Sequence, residues 1–203
     1  MKQGWMKFWL CASLALIGSS STGAGAPLSP RAFRSAAQAK EHHPNETLLA
    51  GLRPGRDTLA MARKRFKSNE ISEDHDSGYH EWRDDCSGRA IRVELNAQSV
   101  IQSITITTLA NQQGACSQRR PDFLDAKNWV TGLGLRLSDS QDQVVSLYGE
   151  PNSSGPAAKN GQELEMMYYQ FDWAGSDVPQ VMEILCARDT GRVVEITLAF
   201  PSL

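Results

Sequence analysis

The densest cluster of side chains that could do chemistry lies between Glu73 and Glu81, where two histidines and four acids occur within nine residues. Histidine and carboxylate side chains bind divalent metals or transfer protons when they converge on one point. In an extended strand, however, His80 would lie on the same side as Trp82 and away from Glu81. A charged run of this kind is more typical of a solvated loop. A metal-dependent enzyme that uses His75 and His80 is therefore the third hypothesis rather than the first.

Motifs of the common enzyme classes are absent from the sequence. It lacks GxSxG, GxxxxGK, HExxH and GxGxxG, which mark serine hydrolases, phosphate-binding loops, zinc proteases and dinucleotide sites. All four histidines fall between residues 42 and 80, which confines any histidine-based catalytic or metal site to that part of the chain. We therefore expect a protein that is not an enzyme and that needs no cofactor.

The charge of the chain also excludes a class of partner. Its formal net charge is −2 at pH 7, whereas a protein that follows a phosphate backbone normally carries a basic stripe. The longest basic run is Arg63-Lys64-Arg65, on the polar side of a predicted helix. Nucleic acid is therefore not expected as a partner.

The first 26 residues have the features of a signal peptide. Lys2 and Lys7 precede a short apolar run at residues 8–17, and small residues lead to an A-x-A cleavage site at residues 24–26. The apolar run is about ten residues long, whereas a helix needs about 20 to span a bilayer; an uncleaved anchor is the alternative. We expect cleavage near residue 25 or 27, residence in the periplasm or outside the cell, no stable membrane span, and a flexible leader over 27–46.

Three cysteines remain after cleavage of the signal, which contains Cys11. In an oxidising compartment two of them are expected to pair. We predict the pair Cys86–Cys116, because alternate strands of a meander end on the same edge of a sheet and a short linker can close the remaining gap. Cys186 is expected to be a buried free thiol, and the pair Cys116–Cys186 is the alternative.

Two helices are predicted from their capping residues and apolar faces. At residues 138–140 two serines and an aspartate can cap a helix start, and Gly149 with Pro151 can end it. Val144 and Tyr148 then share the apolar face of that helix. A weaker copy of the pattern lies at residues 57–66.

Six strands are predicted from alternating polar and apolar residues. Ile104 and Ile106 alternate with Thr105 and Thr107, for example, which is typical of an antiparallel sheet covered on one face only. The predicted strands are 79–85, 90–96, 100–109, 163–173, 178–186 and 192–200.

Because helix, loop and three strands recur in the same order, the sequence predicts an α+β fold of two tandem repeats. Each repeat would be a helical element packed on one face of an antiparallel sheet of three to four strands, with the merging of the two sheets into one curved sheet left open. The expected boundaries are 47–110 for repeat 1, 111–130 for a linker with a short helix, and 131–203 for repeat 2.

The polar face of this sheet and one aromatic strand supply candidate contact residues. The strand 163–173 is apolar on both faces, which fits either a covered central strand or an aromatic binding patch. The candidate contact residues are Tyr79, Glu81, Arg83, Arg92, Tyr169, Phe171 and Trp173.

The helix cap at 134–140, the helix end at 144–151 and the strand at 191–198 together resemble beta-lactamase-inhibitor-protein-like domains and the related SmpA/BamE-type outer-membrane assembly lipoproteins. The resemblance covers about residues 47–203. It implies helices on an antiparallel sheet, secretion or periplasmic residence, and protein binding through an exposed sheet or loop surface. Neither a lipid-attachment cysteine nor the inhibitors' contact residues are matched, so it implies neither a lipoprotein nor beta-lactamase inhibition.

These observations favour an exported, non-enzymatic module that binds another protein of the envelope or extracellular space through an open sheet face. The alternative is an envelope-assembly or structural factor of the same fold.

The predicted disulfide has a direct test. Peptide mapping of the exported protein without reductant should recover the peptides of Cys86 and Cys116 as one cross-linked species. Cys116→Ser should lower the free energy of unfolding by about 2–4 kcal/mol, because the unfolded chain loses a constraint. Recovery of Cys116 joined to Cys186 instead would show that the alternative pair forms.

Overall fold

The computed structural model describes residues 44–67, 70–74, 79–84, 86–109, 128–171 and 180–200. These residues belong to one compact unit that spans residues 41–203. In chain order the elements are α1 (Leu59–Phe66), β1 (Glu70–Asp74), β2 (Tyr79–Asp84), β3 (Arg89–Leu95), β4 (Ile101–Thr108), α2 (Gln141–Tyr148), β5 (Ser153–Lys159), β6 (Gln162–Phe171), β7 (Gln180–Ala187) and β8 (Val193–Ala199). Within these described ranges, neither helix is long and apolar enough to cross a membrane.

All eight strands form a single antiparallel sheet in the order β1-β2-β3-β4-β8-β7-β6-β5. The prediction of two tandem helix-on-sheet repeats is therefore wrong. The physical reason lies in the middle of the sheet, where β4 pairs directly with β8 and places Ile106 opposite Ile196. This pairing satisfies the backbone groups that two separate sheets would leave exposed at their edges.

One hydrophobic core lies on one face of the sheet, beneath both helices. Helix α1 contributes Ala62 and Phe66, and the Phe66 ring lies 4.9 Å from the ring of Trp82 on β2. Helix α2 contributes Val144 and Tyr148. Because side chains alternate along a strand, the residues between the core positions point to the opposite face, which the two helices do not cover.

Helix α2 begins and ends where the sequence predicts. The Ser140 hydroxyl accepts a hydrogen bond from the backbone N–H of Gln143 at 3.2 Å, which satisfies one of the free donors of the first turn. Gly149 ends the helix with a φ of 78°, a backbone region that favours glycine.

Two strands lie in segments predicted to be loops. Strand β1 lies between the predicted helix 57–66 and the predicted strand 79–85, and β5 lies between the predicted end of the second helix and the predicted strand 163–173. Strand β5 turns into β6 through Asn160 and Gly161, whose φ angles are 52° and 77°. Two successive positive φ angles define the type I′ turn of a two-residue hairpin. Pro156 is tolerated in β5 because this strand is at the edge of the sheet.

The carboxylate of Glu46 joins the start of the described chain to helix α2. Glu46 is only 2% exposed, and its Oε1 accepts hydrogen bonds from the backbone N–H groups of Thr47 and Leu48, both at 2.9 Å. Its Oε2 accepts from the N–H of Leu133 at 3.0 Å and from the hydroxyl of Tyr148 at 2.7 Å. Residue 46 therefore belongs to the folded unit, although the predicted flexible leader included it.

The Tyr148 hydroxyl is also bonded to Thr131. The two hydroxyl oxygens lie 2.7 Å apart, and because Tyr148 gives its one proton to Glu46, Thr131 must be the donor. Thr131 in turn accepts from the N–H of Leu135 at 3.0 Å. Burial, together with the nearby Glu46 carboxylate, raises the pKa of Tyr148 far above its ordinary value, which keeps the hydroxyl protonated as this network requires.

Removing the Tyr148 hydroxyl measures the contribution of this network. Tyr148→Phe should lower the free energy of unfolding by about 1.5–3 kcal/mol, because a hydrogen bond to a buried charged group is lost. Tyr168→Phe is the matched control. Tyr168 is half-buried, and loss of its hydroxyl should lower the free energy of unfolding by less than about 0.5 kcal/mol. Urea denaturation measures the free energy of unfolding of both variants. An equal loss in the two variants would contradict the hydrogen bond between Tyr148 and Glu46.

Candidate functional site

The face of the sheet that the helices leave open is concave. Lys159 on β5 forms an ion pair with Glu195 on β8, although β6 and β7 lie between these two strands. With neighbouring strands about 4.8 Å apart, a flat sheet would hold β5 and β8 about 14 Å apart. Direct contact between the two side chains therefore requires the sheet to curl toward this face.

The curl produces a groove on the open face, with a cavity volume of about 370 Å³. This open groove has its floor on β3, β4, β8 and β7, the four central strands of the sheet, and the Lys159–Glu195 pair lies on its border with a smaller hollow of about 170 Å³. Hydroxyl and charged side chains dominate its lining. Strands of a sheet interior form a rigid support, which suits a site that must keep its shape.

A pair of threonines lies at the junction of β4 and β8 in the middle of the groove. Thr105 and Thr197 are directly opposite in the register, and their hydroxyl oxygens are 2.9 Å apart. Two residues along β4, Ser103 donates to Glu94, its register partner on β3, at 2.8 Å. Each hydroxyl oxygen of the threonine pair keeps at least one free lone pair, so the floor presents hydrogen-bond acceptors to a ligand.

The four contact residues predicted on β2 and β3 lie together on one side of the groove, where Arg92 is a lining residue and the other three lie beside it. Arg92 donates to Oε2 of Glu81 from its Nε at 3.3 Å and from its Nη2 at 3.0 Å. The Arg92 guanidinium also lies 4.3 Å from the ring centroid of Tyr79, a cation–π contact. Arg83 approaches the other oxygen of Glu81 at 3.6 Å. Glu81 is only 8% exposed, so it holds the two arginines in place and offers little surface of its own.

The aromatic residues predicted on β6 do not form an exposed patch. Tyr169 is fully buried and Phe171 is 1% exposed, both on the core face. Their rings lie 5.7 and 6.1 Å from the ring of Tyr148, and the Tyr169 hydroxyl donates to the carbonyl of Gly149 at 3.0 Å. They are core residues because the side of β6 that carries them also carries Met167 and faces the helices. Trp173 lies outside the described residues.

The remaining predicted residues are not part of the groove. His80 pairs with the buried Val93 in the register and therefore lies on the opposite face from Glu81. Within the described ranges, no group of three or more His, Cys, Asp or Glu side chains could hold a metal ion. His75 lies outside the described residues.

Of the cysteines, Cys186 is confirmed as buried and free. Burial, with a smaller contribution from the charge of Glu165, raises its pKa to about 11, so it is a protonated thiol at neutral pH. Cys116 lies outside the described residues, and its pairing with Cys86 stays a prediction.

Arg92 is a lining residue that was predicted as a contact, whereas four charged lining residues were not: Lys159, Glu183, Glu195 and Glu94. A signal for Lys159 was present, because an Asn-Gly dipeptide is the strongest short-range mark of a hairpin and would have placed this residue at a strand end. The positions of Glu183 and Glu195 on the open face follow from strand alternation. Their place near Lys159 and Thr105 depends on the strand order.

Comparisons with known proteins give partial similarities. No family model matches the chain. Protein C of human parainfluenza 1 virus is 34% identical over 88 residues in strain C39 and 32% identical over 90 residues in strain CI-14/83. These matches cover 43% and 44% of this chain, and the chain spans only 40% and 41% of the two viral proteins.

Among solved structures, a DUF4309 family protein (YjgB) from Bacillus subtilis is similar with a TM-score of 0.45 and 11% sequence identity. The match covers 77% of this chain and 88% of that protein.

Substitution at β6 and β2 separates core residues from surface residues. Phe171→Ala should lower the free energy of unfolding by about 3–5 kcal/mol, because it leaves a cavity in the core. Tyr79→Ala should cost only about 1 kcal/mol, the size of an exposed cation–π contact. Thermal or urea denaturation measures both, and a small loss for Phe171→Ala would return this ring to the list of contact candidates.

Proposed function

We propose that this protein is an exported, non-enzymatic binding module that holds another protein in the open groove. The observation that carries the proposal is the division of the sheet into two unlike faces. One face is taken up by the core and both helices, whereas the other is polar, concave and lined by side chains of the central strands. The second face is thus the one that can receive a partner.

The residues beside the groove are of the types that protein interfaces favour. Tyrosine and arginine are enriched at interfaces and among the residues that contribute most binding energy. Tyr79, Arg83 and Arg92 lie side by side here, and the buried Glu81 carboxylate fixes both guanidinium groups. Side chains that are held in place before binding lose less conformational entropy when the partner arrives.

Two other functions stay as alternatives. An envelope-assembly or structural factor would use the same groove, and it differs from an inhibitor or adaptor only in the partner. A metal-dependent enzyme would instead use His75 and His80, with His80 on the face away from the groove. Metal analysis of the purified protein tests this third hypothesis: bound metal in stoichiometric amount would support it, and its absence together with no effect of a chelator would reject it.

The location of the protein is part of the proposal and depends on the predicted signal peptide at residues 1–26, which lies outside the described residues. N-terminal sequencing of the protein recovered from the envelope or the medium shows whether the signal peptide has been removed. A first residue near 25 or 27 would support export, and an intact Met1 in the cytoplasm would reject it.

Blocking the groove tests the main proposal. Crosslinking in the native envelope with the mature protein as bait should identify one dominant protein partner by mass spectrometry. Thr105→Arg, which places a large side chain on the groove floor, should reduce recovery of that partner at least tenfold. Met61→Arg is the matched control, because Met61 is 48% exposed on α1 and lies on the other side of the sheet.

The two variants must first show native circular dichroism and melting temperatures near that of the unmodified protein. Equal recovery of the partner by Thr105→Arg and Met61→Arg would then reject the groove as the binding site. Failure to crosslink any protein would reject the binding function itself.

A further inference from the structure

Helix α1 and the turn that precedes it form a basic surface. Residues 53–67 contain six basic side chains and a single acid, Asp57, although the whole chain has a formal net charge of −2. Asp57 is only 8% exposed, and its Oδ2 accepts a hydrogen bond from the backbone N–H of Arg53 at 2.9 Å. The one acid is thus turned inward, and the surface outside it is positive.

Four of these bases are exposed and form no ion pair among the described residues. They are Arg53, Arg56, Lys64 and Lys67. On the sheet, by contrast, Arg92 and Lys159 are each paired with a carboxylate. Because the four bases have no acid of this chain beside them, their charge is available to an anionic surface outside the molecule.

The outward face of α1 also carries an exposed apolar side chain. Ala62 and Phe66 face the core, so Met61 and Lys64, which are three residues apart, lie together on the solvent side of the helix. Met61 is 48% exposed, the most exposed of the large apolar side chains in the described residues. An apolar side chain among basic ones is typical of a helix that lies on lipid, where the bases contact the headgroups and the apolar side chain enters the layer between them.

Arg65 ties the helix to the segment that leads into the basic turn. Its Nε donates to the carbonyl of Ala50 at 2.6 Å, and its guanidinium lies directly over Gly51. Eight helical residues span only about 12 Å. The bases of the turn and of the helix therefore belong to one small, fixed surface.

We propose that this basic surface, residues 53–67, docks on an anionic phospholipid membrane. The inference goes beyond the proposed function, because α1 and the open groove lie on opposite faces of the sheet. Each lysine or arginine near an anionic membrane strengthens binding about fivefold. The outward side of a helix is convex and has no cavity for a protein side chain, whereas a lipid surface adapts to its shape. The groove of a docked molecule faces away from the membrane, where another protein can reach it.

Flotation with phospholipid vesicles gives the test, with the mature full-length protein at about 50 mM salt. The probes are vesicles of phosphatidylcholine alone and vesicles in which about 30% of the lipid is phosphatidylglycerol. The unmodified protein should bind the anionic vesicles at least tenfold more than the neutral ones. Salt at about 500 mM should weaken this binding, since ions screen exposed charges.

Three variants locate the contact, after circular dichroism has shown that each is folded. Lys64→Gln/Lys67→Gln removes two exposed bases and should lower binding to anionic vesicles at least tenfold. Arg83→Gln/Lys159→Gln is the matched control, because it removes the same charge from the open face, and it should bind as the unmodified protein does. Met61→Ser should lower binding at least threefold, because it loses the side chain that enters the headgroup layer.

Several results would overturn the inference. Equal binding to neutral and anionic vesicles, or binding to neither, would show that the surface does not recognise lipid charge. An equal loss in Lys64→Gln/Lys67→Gln and in the open-face control would show that the net charge acts and not this surface. Binding of a polyglutamate peptide without binding of vesicles would assign the surface to an acidic protein.

Two further results separate the parts of the inference. Full binding by Met61→Ser would overturn the insertion of that side chain among the headgroups. Thr105→Arg should bind anionic vesicles at least as well as the unmodified protein, because Thr105 lies on the groove floor. Its loss of vesicle binding would place the lipid contact on the groove face and overturn docking through α1, while the crosslinking experiment decides the proposed function separately.

Discussion

The fold depends on one buried carboxylate. Glu46 has almost no contact with solvent, and an ion in that position costs several kcal/mol unless its oxygens are satisfied. Four donors satisfy them, from two neighbouring backbone groups, from Leu133 and from Tyr148. Gly132 is part of the same constraint, since a Cβ at that position would lie 2.5 Å from Oε1 of Glu46. The start of the described chain, the turn before α2 and α2 itself must therefore come together in one arrangement.

This arrangement decides which face of the sheet is left for binding. Tyr148 carries the constraint into the core, where its ring packs beside Tyr169 and Phe171 on β6. Because side chains alternate with a period of two, a strand that buries one set of residues must present the other set on the opposite face. The polar floor of the groove is therefore a consequence of core packing along β6 and its neighbours.

Much of the local structure could be predicted from the sequence, whereas the long-range pairings could not. Alternation along 101–108 and the cap at Ser140 are local signals, and both predict the observed elements. The pairing of β4 with β8 joins residues about 90 positions apart, and no local pattern specifies it. Tyr169 and Phe171 were ambiguous because β6 is apolar on both faces, so only the position of α2 shows which face is core.

The ion pair between Lys159 and Glu195 reports the curvature of the sheet and does not cause it. Lys159 is partly exposed, and a surface pair contributes only about 0–1 kcal/mol, far too little to bend four strands. The right-handed twist of the strands and the tight turn at Asn160 and Gly161 carry the end of the hairpin over the groove.

Once the hairpin is there, the pair joins two of the charged residues that line the groove. Lys159 is paired with Glu195, whereas Arg92 shares the carboxylate of Glu81 with Arg83. The register places Arg92 opposite Thr105 and Glu183 opposite Thr197, so the row of side chains across the groove floor has a cation on one side of the threonine pair and a carboxylate on the other.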